Sequence, residues 1–132
     1  MAGRIQFLNP ETMATPIGYS HVAKVRAGPL VFISGQASLD PSGNVVGPGD
    51  YALQAQQTFR NLGLALQAAG ADFRSVVKLT IYVLDIRGLP EVRAERDRHV
   101  DPAHPPASTA IEVGRLFRPE LLLEVDAVAC VD

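Results

Sequence analysis

The sequence has no tryptophan, and its aromatic residues are five phenylalanines and three tyrosines. So few rings do not make a stacking platform for single-stranded bases. The single cysteine, Cys130, excludes an internal disulfide and any metal site built on several thiolates. His21, His99 and His104 lack metal-ligand spacing of the HxxxH kind. There is no run of about 18 apolar residues to span a membrane, and the opening MAGRIQFLNPETM has no apolar block of the secretory type. The formal net charge is −2, with a pI near 5.9, so no basic field attracts nucleic acid. A soluble, cytoplasmic protein is expected. What is present is ordinary: 132 residues, 47% hydrophobic and 20% charged, enough for one domain, 1–132, around a single core.

RIQFLN reads as a short first strand, followed by PETMATPIGYS, too rich in Pro, Gly and Thr for regular structure. HVAKVRAG and LVFISGQAS, joined at Gly28-Pro29, read as two strands of a hairpin. YALQAQQTFRNLGLALQAAG is the clearest helix. Ala55, Phe59, Leu62, Leu66 and Ala69 recur at spacings of four, three, four and three, with Asp50 as N-cap and Gly70 as the stop. SVVKLTIYVLD is a central strand, with Val77, Leu79, Ile81 and Val83 on one face and Lys78, Thr80 and Tyr82 on the other. LPEVRAERDRHV is a second, charged helix, and STAIEVGRL and ELLLEVDAVACV are the last strands. The order βββαβαββ predicts an α+β fold with two helices on one face of a sheet.

In the last strand the helix-facing set is Leu123, Val125, Ala127, Ala129 and Val131. The opposite set, Leu122, Glu124, Asp126, Val128 and Cys130, is mixed, and one chain leaves nothing to cover it. Self-association across this face is expected.

The pieces GYSHV (18–22), FISGQASLD (32–40), VVKLTIYVLDI (76–86), PPASTAIEVGRL (105–116) and LLLEVDAVA (121–129) together resemble the RidA family of reactive-intermediate deaminases. The resemblance implies a chorismate-mutase-like α+β fold with a mixed sheet. It implies a homotrimer around a central barrel, clefts between subunits, and hydrolysis of imines or enamines without a metal or bound cofactor. It also implies an arginine after proline-alanine at the start of the penultimate strand, which clamps the substrate carboxylate. Here the motif is Pro106-Ala107-Ser108, and Ser108 stands where that arginine would be. A serine hydroxyl contributes about 1 kcal/mol net, whereas a charged bidentate contact contributes roughly twice that or more.

By the same resemblance Tyr19 and Gly35 line the cleft with Ala107 and Ser108, and Glu124 holds the catalytic water. Glu112 and Arg115 match structural positions of the family. Asp126 shares the Glu124 face and reads as structural or ion-paired. Thr109 is expected in the core. A Ser108–His104 nucleophile pair is conceivable, His21 could border the cleft, and His99 reads as solvated. Arg93, Arg96 and Arg98 read as a solvated face with Glu91, Glu95 and Asp97. Any one of them, or Arg26 or Arg118, is open as a substitute for the clamp. Three functions stand: a hydrolase or deaminase acting on an imine, enamine or related labile metabolite; a non-catalytic small-ligand-binding or regulatory module; and, from the family's older naming, an endoribonuclease, against which the acidic charge argues.

Overall fold

Asp50 starts the long helix as the spacing predicts. Its carboxylate accepts the backbone N–H of Leu53 at 3.0 Å, and Gly70, at φ +73°, takes the left-handed turn that ends it. The computed structural model describes residues 4–131. In chain order the elements are β1 (Ile5–Leu8), β2 (Val22–Val25), β3 (Leu30–Gln36), α1 (Tyr51–Ala68), β4 (Val76–Val83), α2 (Leu89–Arg96), β5 (Ala107–Glu112) and β6 (Leu123–Cys130). This is the order read from the sequence. Both helices pack on one face of a four-stranded sheet of order β3-β6-β4-β5, in which only the β4–β5 pair is parallel. The crossover through α2 makes that parallel pairing possible.

The core between sheet and helices joins Ala55, Phe59, Leu62 and Leu66 of α1 to Leu89 and Val92 of α2 and to the inward side chains of the sheet. Leu123, Val125, Ala127 and Ala129 of β6 face it as expected, while Val131 lies beyond the end of the strand. Ala69 is exposed at the helix cap rather than on the buried stripe.

Three expectations need correction. β2 does not form a hairpin with β3; it pairs antiparallel with β1, and β3 pairs with β6. Adjacent strands with a short turn need not pair when each finds a better apolar partner elsewhere, and β1 supplies Ile5 and Phe7. Val77 does not share a face with Leu79. One extra residue in β4, where Val76 pairs with Ala129 but Lys78 with Val128, bulges Val77 to the opposite side. There it packs with Ile5 and Cys130. The β1–β2 ribbon therefore covers one end of the face that the chain was expected to leave bare, and Cys130 is buried. Further along, that face stays open: Phe32 is 75% exposed.

Gln54 ties α1 to the start of β6. Its side chain is fully buried, donates to Gly47 O (3.1 Å) and Glu120 O (2.9 Å), and accepts from Leu122 N (2.9 Å). Replacing it by Ala leaves these backbone groups without their partner. Denaturant unfolding of Gln54→Ala should show a loss of about 2–3 kcal/mol. A change within about 0.5 kcal/mol would mean the tie carries no weight.

Candidate functional site

Two clusters form, on opposite faces of the sheet. The first is built by β6 and β3. Tyr82 of β4 lies directly across from Glu124, and Thr80 across from Asp126. The Tyr82 hydroxyl donates to Asp126 Oδ2 at 3.0 Å. That hydrogen bond, with burial second, raises the Tyr82 pKa. Asp126 is thus hydrogen-bonded rather than ion-paired. Between Ile33 and Gln36 the β3–β6 register slips, and Gly35 lies in the slip. A Cβ at Gly35 would run into the Glu124 carboxylate, so glycine there lets the backbone lie against it. Burial, and then repulsion from Asp126, pushes the Glu124 carboxyl above its ordinary pKa. A carboxyl so placed can hold a water and exchange a proton with it.

The second cluster lies at the start of β5. Ser20 is buried and staples the GYS loop to this strand: its Oγ donates to Pro105 O (2.6 Å) and its N–H to Pro106 O (3.0 Å). An isolated parallel bridge joins Ser20 to Ala107. Tyr19 is thereby set on the wall of a cleft of about 680 Å³, which Ile17, Arg93, Arg96, Val100 and Pro105 also line. Ser108 pairs with Leu79, and side chains paired across strands share a face, so Ser108 points to the helix side. Gly35 and Glu124 are therefore brought together, and the Ser20 bridge draws the Tyr19 loop to Ala107, while neither Ala107 nor Ser108 lines the cleft. The two groups are not joined within one chain, since Glu124 faces away from the helices.

Thr109 is not in the core. It is exposed opposite Thr80 and accepts from Lys78 Nζ at 2.6 Å. His104 does not serve Ser108: its Nδ1 lies 3.2 Å from Asp101 Oδ2. His21 braces the loop, with Nε2 2.7 Å from Ala14 O and its ring edge-on to Tyr19. His99 is not solvated. Its ring stacks on Phe59 and packs against Phe73, with Nε2 2.7 Å from Glu95. Glu112 is structural, accepting the N–H of Ile86 at 2.9 Å. Arg26 donates to Gln6 and Arg118 to Gly43, away from the cleft.

Arg96 overturns the reading of α2 as a uniformly solvated face, for its side chain is only 8% exposed. Its position was legible: with Leu89 and Val92 it continues a three-and-four spacing on the buried side. No group of three His, Cys, Asp or Glu among the described residues is placed to hold a metal ion. No helix among them is long and apolar enough to cross a membrane.

Because the folded state raises the Glu124 pKa, stability is lost as pH rises through that value. Thermal unfolding should find Glu124→Gln more stable than the parent at pH 7, with the gain gone near pH 4, where both side chains are neutral. An equal difference at both pH values would mean the desolvated charge is not its cause.

Residues 11–131 match the family model described as Endoribonuclease L-PSP. A RutC family protein of Synechocystis is 36% identical over 115 residues, covering 86% of this chain and 87% of that one. A rat 2-iminobutanoate/2-iminopropanoate deaminase is 36% identical over 99 residues, 75% of this chain and 71% of its own. Among solved structures, a Yersinia pestis protein of the conserved Rid family superimposes with a TM-score of 0.90 at 36% identity, over 97% of this chain and 99% of that one. With the strand order, the two helices on one sheet face and these matches in agreement, the chain belongs to the Rid (RutC) family, whose sequence model carries the description Endoribonuclease L-PSP.

Proposed function

We propose that this protein is a cytoplasmic hydrolase of the deaminase type, acting on a small imine, enamine or related labile metabolite. Its clefts lie between the subunits of a homotrimer. The observation that carries the reading is the Glu124 carboxyl, lodged against the Gly35 backbone with a raised pKa on a sheet face that stays open. Phe32 on that face and Ile17 beside the cleft, 75% and 88% exposed, supply apolar surface for a second copy to cover. Such packing brings Glu124 of one subunit to the Tyr19 wall of the next.

In this arrangement Glu124 takes a proton from a water whose oxygen adds to the C=N carbon, while the nitrogen gains a proton. The resulting carbinolamine collapses, breaking the C–N bond, expelling ammonia and leaving a carbonyl. Tyr19 and Gly35 shape the cleft, and Ser108, in place of a charged clamp, alters its specificity. The same substitution favours a second reading, a scaffold that binds a small ligand without turning it over. The rat relative's named substrates supply the first test compound, 2-iminobutanoate.

Glu124→Gln keeps the shape and removes the base. Its kcat for hydrolysis of freshly generated 2-iminobutanoate should fall by about 100-fold or more, with assembly unchanged by light scattering. If turnover survives, Glu124 is not the water-holding group. If the parent binds 2-oxobutanoate but never turns over the imine, the ligand-binding reading replaces the enzymatic one.

A further inference from the structure

Ser108 leaves β5 without a cation, yet the cleft that Tyr19 lines is not without one. Arg93 and Arg96 both reach it from α2, the helix on the side of the sheet to which Ser108 points. The Arg96 guanidinium is held in place. Nε and Nη2 each approach Asp97 Oδ1 at 2.9 Å, and Nη2 occupies the space next to Gly18, where an added Cβ would sit only 2.5 Å away. Gly18 at φ +79° thus serves twice, by taking a left-handed turn and by making room for the cation.

A guanidinium has five N–H donors, and the Asp97 contacts use two of them. A cation this buried is stabilised by a further acceptor, and the open side of the group is the cleft. The apolar walls, Ile17, Val100 and Pro105, lie within the same space. A short aliphatic chain can lie on them, and the Asp97 carboxylate that pairs with Arg96 lines the space too.

We propose that Arg96 is the carboxylate-binding residue of this cleft, with Arg93 as a second cation, and that its ligand is a small carboxylate with a short apolar side chain. The anion contact is then supplied by α2 rather than by β5. The fork of N–H donors remains bidentate. This assignment rests on the deaminase reading above only for the identity of the cleft, and it is tested separately.

The probes are 2-oxobutanoate, a stable carboxylate, and butanone, its uncharged counterpart, titrated into the intact assembly. In the parent protein, side-chain NMR should show the Arg96 Nε–H moving with 2-oxobutanoate and staying still with butanone. Calorimetry should find affinity for 2-oxobutanoate weaker by about ten- to hundredfold in Arg96→Gln, partly restored in Arg96→Lys. Movement of other arginines with Arg96 unperturbed overturns the assignment, and needs no variant to fold. So does an Arg96→Gln protein that binds as the parent does.

The two readings fail differently. Turnover that depends on Glu124 with Arg96 unperturbed removes only the arginine assignment. Binding at Arg96 with no turnover of 2-iminobutanoate leaves the arginine assignment standing and removes the deaminase reading.

Discussion

The pairing of β4 with both of its neighbours decides where every functional side chain points. Its antiparallel register with β6 sets Tyr82 against Glu124, and its parallel register with β5 sets Leu79 against Ser108. Since side chains alternate along a strand, the first pair faces away from the helices and the second toward them. A shift of one residue in either ladder would exchange these faces and empty the core. The fully buried Leu79, Ile81 and Val83 make that shift costly, so hydrophobic burial on the helix side also fixes the geometry of the carboxylates on the other.

Around this frame, two local devices adjust the chemistry. The slip in β3 places Gly35 where a Cβ would meet Glu124, so the carboxylate is partly desolvated by backbone rather than by a bulky side chain. The Tyr82 hydroxyl donates a hydrogen bond to Asp126, which leaves two neighbouring carboxylates with different duties. One is a fixed acceptor, and the other is poised to exchange a proton. On the far side, the prolines at 105 and 106 offer carbonyls to Ser20, and this staple rather than regular pairing holds Tyr19 at the cleft.

The element order, the α1 stripe and the alternation in β6 were legible because each follows from burial at a fixed period. The family resemblance named Gly35 and Glu124 as site residues, but not that the glycine backbone lies against that carboxylate. The pairing partner of β2 was not, since proximity in sequence and a Gly-Pro turn carry no information about which strand offers the better apolar face. Val77 and Thr109 were misassigned for related reasons. A bulge adds one residue without a distinctive sequence signal, and a threonine at the edge strand finds Lys78 instead of the core. Arg96 shows the opposite lesson. A charge at a buried heptad-like position was read by its chemistry and not by its spacing, although the spacing with Leu89 and Val92 pointed inward.

The central claim is that the carboxylate of one subunit completes the cleft of another. The most direct test mixes two inactive variants, Glu124→Gln and Tyr19→Ala, unfolds them together and lets them reassemble. If the cleft is shared between subunits, random assortment restores about one cleft in four with both residues intact, and imine hydrolysis returns. If the mixture stays as inactive as either variant alone while mixed assemblies have formed, both residues act within a single chain and the account is wrong.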